Sequence, residues 1–260
     1  MFSSDMKGIN EKYYRSKNFI KCKFNDIKDF NTKFNKYKKD LAAIIVEPVQ
    51  ATSGFNFANN EFLKQVKLLT TKSSCLLIFD EVWTGFGKTG YDFAYHYYKI
   101  KPDILNLGKA LGGGLPLGLV AFNDVLNHNY PGAQSSTFQG NIISIYNSYF
   151  FLKLLKKSNY LKKVKIIENF MISQKKLLSS FNSVNNFSGI GNMWGIEINQ
   201  DYKKGIDLTN LIRSELLQEG LITWECGVKG NVIGLIPPIC SKKSSLDLSI
   251  HILTKILIKF

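Results

Sequence analysis

Short apolar blocks alternate with amphipathic stretches along the first half of the chain. Apolar runs over 42–46 and 75–79 predict strands buried on both faces, and a helix beginning at Asn60 separates them. Shorter apolar runs over 104–107 and 117–122 predict two more strands. This strand–helix–strand rhythm predicts an α/β fold, in which a mostly parallel sheet carries flanking helices.

The pattern changes after residue 141. A long helical pattern over 142–181, rich in Leu, Ile and Lys, is expected to lead out of the sheet domain. We therefore expect a large domain in 1–155, followed in 156–260 by a linking helix and a small α+β C-terminal domain. The small domain is predicted to contain strands over 193–198, 221–224 and 232–236 and helices over 208–217 and 246–257.

Composition narrows the class of protein without defining a function. Of the 260 residues, 45% are hydrophobic and 21% are charged, which excludes a disordered chain and a coiled coil. Lysine outnumbers arginine 32 to 2 and the net charge is +14, which nucleic-acid binding could explain. Because the lysines are spread over the whole chain, AT-rich codon usage is the simpler explanation, and no nucleic-acid partner is predicted. The lysine-rich residues 1–40 are predicted to be a surface segment.

Neither a membrane protein nor a disulfide-stabilised protein is predicted. The chain has no run of about 18 apolar residues, and its polar start, Met1 to Lys12, does not resemble a signal peptide. The four cysteines are widely scattered and none forms a CxxC pair, which argues against a disulfide framework or a zinc site. A cytoplasmic protein without a bound metal is therefore expected.

Three charged residues follow predicted strands. Glu47, Asp80 and Lys109 stand at carboxyl ends, where ligands of open α/β sheets bind. Asp80 could cap a helix or accept a loop hydrogen bond, or it could hold the protonated ring nitrogen of a pyridoxal phosphate. Lys109 lies among apolar and glycine residues, which would lower its pKa and suit a Schiff base with an aldehyde. Spacing alone leaves a structural role for Lys109 equally open.

Several motifs in register carry a family resemblance. Their order, spacing and identity resemble the class-III aminotransferases, which are pyridoxal-phosphate enzymes of fold type I. The resemblance covers most of the chain from Ala42 onward and extends more weakly to 189–197 and 231–238. The strong motifs are AIIVEPVQ at 43–50, LIFDEVWTGFGKTG at 77–90, PDI at 102–104, GKALGGGLP at 108–116 and STFQGN at 136–141.

The resemblance implies a role for each of four residues. Lys109 matches the lysine that holds pyridoxal 5'-phosphate as a Schiff base and moves the substrate proton, and Asp80 matches the carboxylate on the pyridine nitrogen. Val82 matches the apolar residue packed on one face of the ring. Thr137 matches the threonine that reaches the cofactor phosphate of the neighbouring subunit, so a homodimer is expected. The implied activity is transamination from an amino acid or diamino acid to a keto acid.

The sequence also departs from the family. Residues 1–41 contain neither the phosphate-binding turn nor the stacking aromatic residue of relatives, so the chain is expected to be the C-terminal portion of a family member. Thr52 and Gly234 stand where many users of 2-oxoglutarate carry Glu and Arg. Trp83 replaces a common Gln and is expected to pack at the pocket wall. Residues 130–133 resemble diaminobutyrate enzymes.

These departures leave two alternatives to transamination. One is an intramolecular aminomutase on the same cofactor, because such a reaction needs no second dicarboxylate. The other is an inactive, truncated remnant that serves as a partner subunit of a full-length relative.

Overall fold

The computed structural model describes residues 18–127, 136–199 and 207–260. Two four-stranded sheets organise these residues, one in each half of the chain, and a short two-stranded sheet accompanies them. The strands are β1 (Ala43–Val46), β2 (Val49–Gln50), β3 (Asn56–Phe57), β4 (Leu76–Asp80), β5 (Ile104–Leu107), β6 (Leu119–Phe122), β7 (Val184–Ile190), β8 (Met193–Ile198), β9 (Trp224–Cys226) and β10 (Val232–Leu235). The helices are α1 (Ile27–Tyr37), α2 (Asn60–Lys72), α3 (Ala94–Tyr98), α4 (Ile142–Lys157), α5 (Tyr160–Ser173), α6 (Lys175–Leu178), α7 (Leu208–Gln218) and α8 (Lys243–Leu257).

The first sheet has the strand order β1-β4-β5-β6. Strands β1, β4 and β5 are parallel, with Val46 opposite Phe79 and Asp80 opposite Asn106, which confirms the predicted mostly parallel sheet. The fourth strand begins two residues later than predicted and runs antiparallel to β5. The expectation that the strands over 42–46 and 75–79 are buried on both faces is wrong, because burial alternates along β1 and β4.

The prediction that residues 1–40 are a surface segment is wrong for the helix within 18–40, and residues 1–17 lie outside the described residues. Residues 27–37 form helix α1, whose Asp26 cap accepts a hydrogen bond from the Asp29 N–H at 2.8 Å. Phe30 and Phe34 are buried in the core under the first sheet, and the Phe30 ring meets Phe62 of α2 edge-on at 6.1 Å. The lysines occupy the other positions of the helix, and the two apolar side chains sit at helical spacing.

The second sheet is antiparallel, with the order β7-β8-β10-β9. Helices α7 and α8 contribute to its core, where the Phe187 and Trp194 rings stack at 5.0 Å. The strand predicted over 221–224 instead spans Trp224–Cys226, because the chain turns back only after Leu221, whose N–H closes α7 on Leu216. Strand β7 was not predicted.

The long helical pattern over 142–181 divides into three helices. Asn159 takes the left-handed conformation, with φ +48°, and separates α4 from α5. A further break at Gln174 separates α5 from α6. Within 18–127, 136–199 and 207–260, no helix combines the length and the apolar character that crossing a membrane requires.

The two sheets are joined at a tight contact. Gly191, in the turn between β7 and β8, packs on the loop that follows β4, and a Cβ at this position would lie 2.2 Å from the Lys88 carbonyl oxygen. The Asn192 N–H donates to the same oxygen at 3.0 Å. Glu168 of α5 accepts the Gly191 N–H at 3.1 Å. This contact fixes the second sheet beside the loop that carries residues 81–90.

Candidate active site

Asp80 is the last residue of β4 and lies opposite Asn106 of β5. Its carboxylate accepts the Val82 N–H at 3.0 Å, so the loop hydrogen bond that was considered from sequence is present. That bond occupies only one of the carboxylate's acceptor positions and orients the group at the carboxyl edge of the sheet. The bond therefore leaves Asp80 able to meet a second group.

Glu81, the next residue, was missed by sequence reasoning. Its carboxylate is fully buried and accepts the Ala94 N–H at 2.6 Å, the Tyr95 N–H at 2.9 Å and the Thr84 hydroxyl at 2.9 Å. Burial raises the pKa of Glu81 in spite of these three hydrogen bonds. The bonds tie the turn after β4 to the start of α3 and so hold the loop beside Asp80 in place. The one available sequence signal was a second acid directly after a buried strand.

Lys109 begins the turn that follows β5. Its backbone is left-handed, with φ +44°, and the chain continues as a 3-10 turn over Lys109–Gly112. Gly108 allows this turn to pass close to Val82, because a Cβ at Gly108 would lie 3.3 Å from Val82 Cγ1. The turn is held from α4 by the Asn147 amide, which donates to the Gly112 carbonyl oxygen at 2.7 Å.

The amine of Lys109 lies in a mixed environment of acids and an indole. Desolvation lowers the pKa of Lys109, and the Asp80 and Glu47 carboxylates oppose that shift. The Nζ atom lies 4.4 Å from the centre of a Trp83 ring. The two acids singled out at strand ends therefore act electrostatically on the Lys109 amine. The direction of the Lys109 pKa shift agrees with the expectation from sequence, although the Lys109 residue as a whole is exposed.

The other two predicted site residues are placed differently. Val82 lies against Gly108, next to Lys109, and is partly buried. Thr137 is exposed in the turn before α4, and the contacts found within the described residues do not join it to Lys109 or Asp80. Residues 130–133 lie outside the described residues. The roles of Lys109, Asp80, Val82 and Thr137 toward a cofactor stay predictions.

These groups define a class of site. An amine with a lowered pKa condenses with a carbonyl carbon, and a carboxylate at the same edge of the sheet can hold a protonated heterocyclic nitrogen. Val82 adds an apolar surface on which a flat ring can rest. The donor set fits a pyridoxal-type cofactor, whose carbonyl and ring nitrogen need such partners.

Comparisons with known proteins agree with this class. Residues 5–257 match the family Aminotransferase class-III, so the chain belongs to the class-III aminotransferase family. It is 33% identical to the acetylornithine aminotransferase of Bacillus cereus over 240 residues, which cover 92% of this chain and 59% of the relative. It is 38% identical to the glutamate-1-semialdehyde 2,1-aminomutase of Wigglesworthia glossinidia brevipalpis over 156 residues, 57% of this chain and 36% of that protein.

Solved structures show the same fold. The crystal structure of acetylornithine aminotransferase from Elizabethkingia anophelis superimposes with a TM-score of 0.85 and 30% identity, covering 93% of this chain and 63% of that one. Two acetylornithine aminotransferases each match 92% of this chain. The chain spans about three fifths of the length of these relatives. The shared fold is the pyridoxal-phosphate aminotransferase fold, as predicted.

Proposed function

We propose that this chain takes part in pyridoxal-phosphate-dependent transamination, with an amino acid or diamino acid as donor and a keto acid as acceptor. The observation that carries the proposal is that Asp80 and Lys109 follow neighbouring parallel strands and that the Asp80 carboxylate acts on the Lys109 amine, whose pKa is lowered by desolvation. Bound pyridoxal phosphate would supply an electron sink that stabilises negative charge on the substrate carbon.

Four residues of this chain would each have a separate role toward that cofactor. Asp80 would keep the ring nitrogen protonated, and its bond from the Val82 N–H fixes the carboxylate for that purpose. Val82 would support one face of the ring. Lys109 would hold the cofactor covalently through Nζ, and the same amine, once released, would take a proton from the substrate carbon and return it elsewhere. Glu47 adds a second negative charge that favours the protonated state of Lys109.

Borohydride reduction tests the covalent step. The protein is incubated with pyridoxal phosphate, reduced, digested and analysed by mass spectrometry, and Lys109 is expected to carry the label. Lys109→Arg should lose the label, while the matched variant of an exposed lysine, Lys64→Arg, should retain it. Label on other lysines only, or equal label in Lys109→Arg, would reject the proposal and support the inactive-remnant alternative.

An intramolecular amino shift is a second candidate, favoured by the similarity to an aminomutase. The two reactions differ in their need for a co-substrate. The pyridoxamine form of the protein should convert an amino aldehyde without added keto acid if the shift is correct. Turnover that requires a keto acid would support transamination.

The helix α4 supports assembly of two chains. Its buried residues are Ser144 and Ser148, whereas Ile142 is 78% exposed and Ile143 is 69% exposed. A helix face that exposes several large apolar side chains is normally covered by other protein. Thr137 precedes this helix, which suits its proposed role toward a neighbouring subunit. Sedimentation should show a dimer that Ile143→Lys dissociates; a monomeric parent protein would contradict the assembly.

A further inference from the structure

A pair of tryptophans, one following the first sheet and one in the second, begins at the amine of Lys109. Trp83 follows β4, and its ring lies 4.4 Å from Lys109 Nζ. Trp224 begins β9, and its ring meets Trp83 edge-on with the centres 6.2 Å apart. Trp83 also packs on the core cluster that contains Phe55 and Val232, so the pair bridges the junction between the two sheets. We name Trp83 and Trp224 the aromatic wall.

The wall has an open face. Trp224 is 53% exposed, although it is one of the largest apolar side chains of the protein. Trp224 extends the apolar surface outward from Trp83, so a molecule bound at the Lys109 amine can contact Trp83 and, with a longer side chain, Trp224.

The strand next to Trp224 carries no side chain at the facing position. Trp224 pairs with Gly234 of β10. A Cβ at Gly234 would lie 3.0 Å from Cys226 Sγ and 3.1 Å from Phe55 Cε2, so the glycine leaves room for the Phe55 ring and the cysteine. Gly234 therefore supplies no cation beside the wall that could bind a substrate carboxylate.

The arginine of the described residues is held on the other side of the sheet. Arg213 of α7 pairs with Glu225 at 3.1 Å and with the Asn210 side chain at 3.0 Å. Glu225 neighbours Trp224 in the strand, and successive side chains of a strand point to opposite faces. Arg213 therefore lies behind the sheet and cannot reach a ligand at the aromatic wall.

The charges at the front of the site have the opposite sign. The side chains that act electrostatically on the Lys109 amine are the carboxylates of Asp80 and Glu47. An incoming carboxylate group next to the wall would meet indole faces, which carry partial negative charge, together with these two acids. An uncharged apolar group would instead gain contact with the indoles and lose no hydration of a charge.

We propose that the aromatic wall of Trp83 and Trp224 determines acceptor specificity, so that the site takes keto acids whose side chain is apolar and uncharged and disfavours a second carboxylate. The inference rests on the proposed function, because it takes Lys109 as the reacting amine. It assigns the acceptor to the monocarboxylate keto acids.

Reductive trapping with two matched aldehydes tests the wall without the cofactor. Butanal and 4-oxobutanoate have the same chain length and differ in the terminal carboxylate. In each case the Lys109 amine adds to the carbonyl carbon and water leaves; cyanoborohydride then delivers hydride to that carbon and solvent protonates the nitrogen. Peptide mass spectrometry measures the ratio of butanal to 4-oxobutanoate adducts at Lys109, with the exposed Lys64 as internal reference.

We expect the ratio of butanal to 4-oxobutanoate adducts to be at least about fivefold higher at Lys109 than at Lys64, because butanal buries part of its apolar chain against the wall. Trp83→Gln and Trp224→Gln should each bring the ratio toward that of Lys64. Trp83→Phe keeps an aromatic face and should retain most of the preference. Ile222→Gln, an exposed apolar residue near the wall, should change nothing.

Equal ratios at Lys109 and Lys64 in the parent protein, or a preference unchanged in both Gln variants, would overturn the inference, as would a Lys109 that neither aldehyde modifies. Circular dichroism melting establishes that the variants are folded. Failure of the proposed function is seen separately, as absence of the pyridoxal-phosphate label on Lys109. A preference for butanal without that label would retain the wall and reject the transaminase.

Discussion

The two four-stranded sheets differ in how completely this chain covers them. In the second sheet all four residues of β10 are buried, and the sheet shares a core with α7 and α8. In the first sheet all four residues of β6 are exposed, and the neighbouring α4 presents apolar side chains to solvent. The second sheet therefore has a fully buried inner strand and exposes Trp224 and Glu225 on its edge strand β9, whereas the first sheet carries the candidate chemistry and ends in a wholly exposed strand. Reactive groups thus lie where the packing within one chain is least complete.

Truncation of matched isoleucines measures this difference most directly. Ile196→Ala, in the middle of β8, should lower the free energy of unfolding by about 2–5 kcal/mol, because it leaves a cavity in the closed core. Ile143→Ala, on the exposed face of α4, should cost less than about 0.5 kcal/mol in the monomer. Urea unfolding at low protein concentration gives both values. Similar losses in the free energy of unfolding would show that Ile143 is as well buried as Ile196.

Adding a Cβ at Gly191, where the two four-stranded sheets meet, tests whether the contact between them is rigid. Gly191→Ala should cost about 2–3 kcal/mol, because the added carbon collides with the Lys88 carbonyl oxygen in addition to straining a positive φ. Gly220→Ala has a positive φ without a nearby atom and isolates the backbone contribution. Thermal melting compares the two variants. Equal losses of stability in the two variants would show that the structure around Gly191 shifts to accommodate the added carbon.

The buried acid next to the site predicts a pH dependence of stability. Glu81→Ala should cost about 1–3 kcal/mol, since the Ala94 and Tyr95 N–H groups lose their acceptor, whereas Glu61→Ala, at an exposed position, should cost little. Burial raises the pKa of Glu81 above its ordinary 4.5, so the folded protein binds the extra proton. The contribution of Glu81 is therefore most favourable below pH 4.5 and is lost as the pH rises through the folded value.

Urea unfolding of both proteins as a function of pH measures this linkage. The stability lost by Glu81→Ala should be larger at the acidic end of the accessible range and should shrink toward neutral pH. A loss that grows with pH would contradict the raised pKa.

The smallest expected effect concerns the charge at the open edge. Asp80→Asn removes a carboxylate that raises the pKa of Lys109, so the pKa should fall further and more of the amine should be uncharged near pH 8. Acetylation of Lys109 should then accelerate by about twofold to fivefold, a modest factor because the lysine is partly solvated. The rate at Lys64 is the internal control. An unchanged or slower rate at Lys109 would show that Asp80 does not act on it.

Local pattern was sufficient for the strands that carry the site. The apolar runs before Asp80 and before Lys109 predicted β4 and β5, although the burial of β4 alternates between its two faces rather than being complete on both. Parallel neighbours then bring their carboxyl ends to one edge, which placed the acid and the amine together. Helix α1 was missed because its lysines obscured two phenylalanines at helical spacing.

Other parts of the site depended on contacts that no local pattern contains. The cap that Glu81 gives to α3 joins residues 13 and 14 positions apart, and its acid was indistinguishable from a solvated one by sequence. Trp83 was expected at a pocket wall, but its partner Trp224 lies in a strand whose boundaries were predicted wrongly. The exposure of α4 also reversed the usual rule that apolar side chains are buried.

The sequence by itself determined the class of fold and the succession of the strands that carry Asp80 and Lys109, because these follow from periodicity and spacing along one stretch of chain. The family resemblance came from the identity of the motifs at those strand ends. Only the tertiary structure decided that two acids act on the lysine amine, that Trp83 lies over that amine and meets Trp224, and that β10 is buried whereas β6 is exposed. Those features depend on the distance between atoms that folding brings together, and the free energy of such contacts is set by burial and geometry rather than by position in the chain.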